Sequence, residues 1–349
     1  MSIADEQRVS ASGATTAQSA SQPDAYSPQV IRKLNALTSD FYAREAASFS
    51  ATRQAPWHGW EKAWELITAP DAAQGPFPSH AAVRDSLSSR AARIPDDYAS
   101  NSKDSLAVLD LGCGNLRFER FLAERTNAPL RVTALDNCPD LASPEIGALS
   151  AAFPHSLRSS SAASKTKEED ASGQGANPPE KTIVDLRALD IVESLLDSTF
   201  ADRLPRNSHD LAVAFGLMHH LPTFALRARV LEGILGSLRP GGFAVVSFWQ
   251  FLNDPRLAAK AATVTAEGRA AHCLPTFQEN DFLLGWQHAE GTYRFCHHTP
   301  EDEIDALLAA IREPSAPSTS GCAPPAPLPF REIARFSADG KLGNLNRYL

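Results

Sequence analysis

The stretch VLDLGCGNLRFERFL, residues 108–122, decides the fold. It places an apolar strand directly before Gly112 and Gly114, and a run with helical spacing directly after them. Strand, glycine turn and helix in this order let a ligand approach the backbone at the carboxyl end of a parallel strand. An ordinary tight strand-to-helix turn has the same pattern, so the loop has to be interpreted in its context.

Short aliphatic runs alternate with helical patterns on both sides of this loop. Such alternation predicts an α/β fold with a mostly parallel sheet covered by helices on both faces. The last twenty residues, FREIARFSADGKLGNLNRYL, predict two further strands joined by a Gly-containing turn. The other predicted strands are residues 107–112, 130–136, 182–190, 209–216 and 242–249.

Three segments of low complexity divide the chain. Residues 1–25 are rich in Ser, Ala, Thr and Gln and predict a disordered tail, because they cannot bury enough apolar surface to offset the entropy of ordering. Residues 142–181 predict a surface insertion, and the Pro-rich residues 313–329 an extended linker. We therefore predict one domain over residues 26–349, with amphipathic helices in residues 26–68.

Composition excludes several classes of protein. The formal net charge of −8 is unlike that of a protein that coats nucleic acid, so any RNA contact should be local. The five cysteines are odd in number and include no C-x-x-C pair, which disfavours a disulfide framework and favours a reducing, cytoplasmic location. The His and Cys residues at 272–273 and 296–298 lack regular ligand spacing, so no metal site is predicted. No stretch is apolar enough for a membrane helix.

Two residues near the loop narrow the choice of ligand. Arg117 occupies the third glycine position of the dinucleotide fingerprint, which disfavours a nicotinamide enzyme. Asp136 ends the second strand about twenty residues after the loop, where a carboxylate can accept hydrogen bonds from two ribose hydroxyls. A helix or turn cap is the alternative role for Asp136. Cys113 is interpreted as a small buried side chain rather than a nucleophile.

The segment LDLGCGN resembles motif I of the class I S-adenosylmethionine (SAM)-dependent methyltransferases. The resemblance implies a Rossmann-like fold, with a seven-stranded, mostly parallel sheet and a C-terminal antiparallel hairpin, and SAM as the cofactor. It also implies that Asp110 faces the methionine end of the cofactor and that Asp190 contacts the adenine amino group. The implied cofactor-binding residues are Asp110, Gly112, Cys113, Gly114, Asn115, Asp136, Asp190, Phe215 and Gly216.

Three further segments are similar to the methyltransferases that esterify carboxymethyluridine at the wobble position of tRNA. FYAREAASFSATRQAPWHGW (41–60) resembles the family's F-S-x-T-R-x-x-P-W signature, and AVAFGLMHHLPTFALRARVLEGILGSLRPGGFAVVSFWQF (212–251) resembles its paired-histidine and L-R-P-G-G block. DFLLGWQ and GTYRFCHHTPEDEIDALL (281–308) resemble its late tryptophan segment. Insertions at 69–104 and 142–181, the acidic charge and Arg347 depart from the family pattern and leave the exact substrate open.

The resemblance implies an acceptor site. Arg53 and His219 are the predicted catalytic residues, and Trp57 and Trp249 join them as substrate-binding residues. Arg53 is a candidate because its planar fork can hold a carboxylate or phosphate, and Trp57 because it can stack on an anticodon base. Packing on the sheet is the alternative for both. His220 is predicted to be a buried, hydrogen-bonded side chain.

Two other functions fit the same sequence. One is a small-molecule O- or N-methyltransferase that uses the N-terminal helices as a lid, which the acidic charge favours. The other is a SAM-binding regulatory protein that has lost catalysis, which the intact GCGN and MHHL elements disfavour. The predicted partner is tRNA or a small acceptor, and the resemblance adds a possible small activator subunit.

Overall fold

The computed structural model describes residues 26–69, 105–126, 128–142, 157–159, 182–287, 289–312 and 329–349. The predicted tail lies outside these ranges, as do nearly all of both insertions and all but the last residue of the linker. Among the described residues, no helix combines the length and apolarity needed to cross a membrane.

The described chain alternates strands and helices as the sequence predicts. The helices are α1 (Pro28–Ala51), α2 (His58–Thr68), α3 (Arg117–Arg125), α4 (Ile191–Leu196), α5 (Phe200–Arg203), α6 (Phe224–Ser237), α7 (Pro255–Ala271) and α8 (Glu301–Arg312). The strands are β1 (Leu106–Leu111), β2 (Leu130–Asp136), β3 (Leu157–Ser159), β4 (Thr182–Ala188), β5 (His209–Ala214), β6 (Leu238–Trp249), β7 (Asp281–Leu284), β8 (Arg294–His297), β9 (Phe336–Ala338) and β10 (Asn346–Tyr348).

The main sheet has the order β3-β4-β2-β1-β5-β6-β10-β9. Its first six strands pair in parallel, and β10 lies antiparallel to both β6 and β9. The order β4-β2-β1-β5-β6 is that of a doubly wound Rossmann sheet, in which the strand order reverses at β1. The structure confirms the Rossmann-like fold with its C-terminal antiparallel hairpin. The described sheet has an eighth strand because β3, inside the predicted insertion, pairs with the edge of β4.

Both faces of the sheet are covered. On β1, Leu109 and Leu111 belong to one buried apolar cluster, whereas Leu106 and Val108 belong to another. Alternate residues of a strand point to opposite faces, so the two clusters are the two sides of the sheet. A strand buried on both faces requires a nearly continuous apolar run, which is the pattern that made β1 recognisable.

The N-terminal region forms two helices, α1 and α2, within the range that the sequence predicts to be helical. Ser27 caps α1 by accepting a hydrogen bond from the Val30 N–H at 3.4 Å, and Pro28 occupies the first turn, where its missing N–H costs nothing. Helix α1 packs Leu34 and Phe41 into the core. It also contacts β8, which pairs with β7 in a separate two-stranded sheet.

A buried chain of polar groups joins that small sheet to the rest of the molecule. Tyr26 donates to the Asp281 carboxylate at 2.8 Å, and the other oxygen of Asp281 lies 2.6 Å from His297 Nδ1. His297 Nε2 lies 2.7 Å from Glu303, which pairs with Arg227 on α6. Each of these hydrogen-bonding side chains has a partner within the network, so the network positions β8 without leaving unpaired groups.

The C-terminal hairpin is held against α2 by one carboxylate. Asp339 accepts hydrogen bonds from the Gly59 N–H at 3.2 Å, from Asn346 Nδ2 at 2.9 Å and from Tyr348 Oη at 2.6 Å. Helix and hairpin approach so closely that a Cβ added at Gly59 would lie 2.1 Å from Tyr348 Cζ. Only glycine fits this position.

We expect Gly59→Ala to destabilise the protein by about 1–3 kcal/mol, because the added methyl group forces Tyr348 and the hairpin away from α2. Urea unfolding at neutral pH measures the change. Gly285→Ala is the matched control, since its added Cβ would lie 3.6 Å from the nearest atom, an ordinary contact. Equal stability of Gly59→Ala and the wild type would contradict the close approach.

Candidate functional site

The loop between β1 and α3 is shaped by two glycines. Gly112 and Gly114 have φ of +75° and +55°, a region that favours glycine, and the Gly112 N–H donates to Leu135 O at 2.7 Å. A Cβ placed on Gly114 would have no atom within 4 Å, so this side of the loop faces open space. A ligand can therefore approach the backbone at Gly114.

This open space belongs to a cleft at the carboxyl ends of β1, β2, β4 and β5. Its volume is about 1100 Å³, including the part that is open to solvent. Ligands of open α/β sheets bind at this edge, where the strand order reverses. The structure brings all nine predicted cofactor-binding residues to the wall of one cleft, and their role there stays a prediction. They are Asp110, Gly112, Cys113, Gly114, Asn115, Asp136, Asp190, Phe215 and Gly216.

Asp136 closes the turn after β2 and also lines the cleft. One of its carboxylate oxygens accepts the Gly114 N–H at 2.9 Å, and the other accepts the Cys138 N–H at 2.7 Å. Burial raises the pKa of Asp136, and these N–H donors oppose that rise. The carboxylate fixes the glycine loop, and each oxygen keeps a second lone pair for a ligand.

Asp190 caps α4 at the other end of the cleft. Its carboxylate accepts the Glu193 N–H at 2.9 Å and the Asn35 amide at 2.8 Å, and Asn137 donates to it at 3.2 Å. Such a cap typically contributes about 1 kcal/mol. The contact with adenine remains a prediction, because the structure gives Asp190 a structural role in addition to its place in the wall.

Cys113 has the buried position expected for it. The residue is 7 % exposed, and burial raises the pKa of its thiol well above the usual range. A thiol is a poor nucleophile when its thiolate is disfavoured in this way. The structure therefore agrees with a packing role.

The start of α3 holds the T-R-x-x-P-W segment across the cleft. Asn115, Arg117 and Arg120 donate hydrogen bonds of 3.0, 2.9 and 2.8 Å to the carbonyl oxygens of residues 53, 55 and 54 respectively. Arg117 is buried, and its guanidinium lies 4.9 Å from the Trp60 ring. The residue that replaces the third glycine thus anchors the N-terminal segment, a role that sequence reasoning missed.

Arg53 lies in the cleft wall with its guanidinium between aromatic rings. Its Cζ is 3.7 Å from the centre of the Phe49 ring and 4.6 Å from that of Trp286. Burial, followed by the positive charge of Arg294, lowers the pKa of Arg53 to about 10. No ion pair with a carboxylate is found for Arg53 within the described ranges.

Arg294 is a buried arginine close to Arg53 that sequence reasoning did not single out. It is 5 % exposed, and its Nε and Nη1 atoms have no hydrogen-bond partner in the part of the chain that the structure describes. Its Cζ lies 4.7 Å from the Phe41 ring and 5.7 Å from the Phe49 ring that also contacts Arg53. The available signal was an arginine at the start of the apolar strand RFCH, where a charge has to be buried.

The predicted tryptophans lie at two places. Trp57 lines the cleft and packs on Trp60 at 5.2 Å, and a Cβ on Gly216 would lie 3.5 Å from its ring. Trp249 is outside the cleft wall and packs against His219 at 4.9 Å. Trp286 donates from Nε1 to Ser48 at 2.9 Å and walls the side where the two arginines lie.

The two histidines have different surroundings. His220 lines the cleft and is hydrogen-bonded, with Tyr42 Oη donating to its Nε2 at 2.9 Å and its Nδ1–H donating to Phe295 O at 2.7 Å. His219 is 6 % exposed, lies outside the cleft wall, and has an unpartnered Nδ1 among the described residues. Burial, followed by the charge of His220, lowers the pKa of His219 well below its usual range. Contact between His219 and an acceptor stays a prediction.

His219, His220 and Cys296 place one potential metal-ligating atom each within 4.8 Å of one another. Both nitrogens of His220 are already engaged by Tyr42 and Phe295. The charges that act on His219 include the cations Arg294 and Arg53. A divalent cation would be repelled there, so this trio is better suited to an anionic neighbour than to a metal.

No protein-family model and no curated protein matches the chain. Among solved structures, a SAM-dependent methyltransferase of Methanosarcina mazei is 17 % identical with a TM-score of 0.40, covering 69 % of this chain and 89 % of its own. A DhpI–SAM–HEP complex is 15 % identical with a TM-score of 0.42, covering 82 % and 90 % respectively. A methyltransferase of Clostridium acetobutylicum is 9 % identical with a TM-score of 0.35, covering 69 % and 81 %. Similarity this low does not decide the function.

We expect the stability contributed by neutral His220 to be lost in acid. Burial lowers the pKa of His220 to about 3 in the folded protein, whereas an unfolded histidine has a pKa of about 6.5. Between these values only the unfolded chain binds the proton. His220→Gln removes this titration. The difference in free energy of unfolding between the wild type and His220→Gln should therefore shrink as pH falls below about 6.5, by up to about 1.4 kcal/mol per pH unit. Urea unfolding of both proteins at pH 7, 6, 5 and 4 measures it, and a constant difference would contradict the prediction.

Proposed function

We propose that this chain is a SAM-dependent methyltransferase whose acceptor is the carboxylate of a carboxymethyl-type modified wobble uridine in tRNA. The observation that carries the proposal is the presence of two arginines beside the cleft, the half-buried Arg53 and the buried Arg294, neither of which forms an ion pair with a carboxylate among the described residues. A guanidinium that is removed from water without a carboxylate partner is unfavourable, so these two arginines around one aromatic pocket favour an anionic ligand.

The residues of the cleft fit the proposed cofactor. Gly114 leaves its backbone open to a ligand, and Asp136 ends β2 at the position suited to ribose hydroxyls. Asp110 adds a buried carboxyl group whose Oδ1 has no donor in the described protein, suited to a cationic group. The bound cofactor would supply a sulfonium methyl group that is already activated for transfer.

The acceptor side then needs little acid–base chemistry. A carboxylate is ionised at neutral pH and attacks without a general base. Arg53 and Arg294 would hold the two oxygens of the acceptor and align one of them with the methyl group. Phe49, Trp286 and Trp249 would keep water out of the pocket.

The assignment to tRNA is supported by convergence of the segments that resemble the wobble-uridine family. Arg53 comes from the first segment, His220 from the second and Trp286 from the third, and the rings of Phe49 and Tyr42 join them. Trp57, partly exposed in the cleft wall, would stack on a base. The net charge of −8 disfavours a polyanion such as tRNA, so a small metabolite that carries a carboxylate is the second candidate acceptor.

Transfer of labelled methyl from SAM to two separate pools, bulk tRNA and a small-metabolite extract, tests the proposal. We expect label in a base-labile ester on a wobble uridine. Label only in metabolites would contradict the tRNA acceptor and support the small metabolite instead. Label in neither pool, with tRNA and extract from the same cells, would count against methyl transfer by the chain alone.

Arg294→Met should separate function from stability. We expect kcat/KM for the anionic acceptor to fall roughly 10- to 100-fold, because a charge-assisted hydrogen bond is lost. The free energy of unfolding should stay equal or rise, because an unpaired buried charge is replaced by an apolar side chain. Methyl-transfer kinetics and urea unfolding measure the two effects.

Arg256→Met is the matched control, since the Arg256 side chain is 75 % exposed on α7. Arg294→Lys should restore little activity, because a compact ammonium cannot replace the planar fork. A purely structural Arg294 would instead lose stability on substitution and leave KM for the acceptor unchanged.

A further inference from the structure

Two carboxyl groups lie in contact beneath the glycine loop. Asp110, on β1, and Glu119, in the first turn of α3, are 2 % and 1 % exposed, and their side chains are within hydrogen-bonding contact of each other. Asp110 Oδ1 and both oxygens of Glu119 are buried with no donor from elsewhere in the described protein. Two carboxylates in contact can form a hydrogen bond only if one of them keeps a proton.

In the part of the chain that the structure describes, no cation compensates the pair. The third charged group that acts on both is another acid, Asp136, and its N–H donors are Gly114 and Cys138. Arg117, two residues before Glu119, directs its guanidinium to the Ala55 carbonyl instead. Within the described ranges neither Asp110 nor Glu119 forms an ion pair with an arginine or lysine.

The pair therefore holds a proton near neutral pH. Burial, opposed by the peptide N–H of Glu119 and by Asp110, raises the pKa of Glu119 to about 7. Burial, followed by the charge of Glu119, raises the pKa of Asp110 well above its usual range. Ionising both groups without a cation would place two negative charges in contact away from water.

A ligand in the cleft can reach the pair through Asp110. Asp110 lines the cleft, together with Gly112 and Gly114, whereas Glu119 lies behind it and is not part of the cleft wall. A cation in the cleft would reach Asp110 and favour the doubly ionised pair. The proposed cofactor and its demethylated product both carry one such group, the ammonium of the methionine or homocysteine part.

We propose that Glu119, acting through Asp110, makes cofactor binding a proton-releasing reaction. The free pair holds one proton between its two carboxyl groups; when the ammonium binds at Asp110, that proton leaves to solvent and both carboxylates are ionised. The ammonium thus replaces the proton as the one positive charge at the pair. Binding weakens as pH falls below about 7, because the ammonium must then displace the proton. This inference rests on the proposed function, and Glu119 is a positioning residue in it.

Isothermal titration of the full-length protein with S-adenosylhomocysteine, in buffers of different ionisation enthalpy, measures the released protons. We expect close to one proton at pH 6, falling towards zero as pH rises past 7, and an affinity that weakens by up to tenfold per pH unit below 7. Methylthioadenosine, which lacks the ammonium, should bind without proton release over the same range.

Glu119→Gln should abolish proton release and flatten the pH dependence of S-adenosylhomocysteine binding, because the amide donates to Asp110 without a titrating proton. Glu124→Gln, an exposed acid on the same helix, is the matched control and should behave as the wild type. If Glu119→Gln does not fold, proton release by the wild type with S-adenosylhomocysteine and with methylthioadenosine still tests the inference.

Binding of S-adenosylhomocysteine without proton release at pH 6 would overturn the inference and leave the cofactor assignment intact. Equal proton release with methylthioadenosine would also overturn it, because the ammonium would then not be the cause. Failure of both ligands to bind would overturn the proposed function itself.

Discussion

One side chain of the glycine loop and two of α3 donate hydrogen bonds to three successive carbonyl groups of the loop that follows α1. Asn115, Arg117 and Arg120 thereby fix residues 53–55 against the same helix whose first turn follows the glycine loop. These hydrogen bonds tie the segment that carries Arg53 to the loop that opens the cleft. An acceptor held by Arg53 and a ligand on the glycine loop would keep a constant separation, which is what a transfer between them requires.

Acidic and basic side chains lie on opposite sides of the site and form no ion pairs with each other among the described residues. The acids Asp110, Glu119 and Asp136 lie under the glycine loop, whereas Arg53 and Arg294 lie among aromatic rings at the other side. Neither group neutralises the other, and each costs stability in the free protein. Such a cost is typical of functional sites, where charges are kept unpaired so that a ligand can complete them.

The aromatic side of the site is also kept free of acid–base activity. Burial, followed by the charge of Arg294, lowers the pKa of His220 and keeps its imidazole neutral. Burial also lowers the pKa of His219, and the nearby charges of Arg294 and Arg53 act in the same direction. Neutral imidazoles in this position add no further cation to the two arginines. They leave the electrostatics of the pocket to the guanidinium groups, which do not lose their protons near neutral pH.

The sequence by itself determined the fold and one half of the site. Apolar runs buried on both faces and the G-x-G turn are local patterns, so β1, the glycine loop and the acid at the end of β2 were predictable, and parallel strands bring their carboxyl ends together. Tertiary structure alone decided the other half. It placed Arg294 near Arg53 and Glu119 in contact with Asp110, and it put His220 in the cleft wall and His219 outside it. These arrangements join residues from separate elements or depend on side-chain direction. No periodicity encodes such contacts, because they arise from how helices and strands pack.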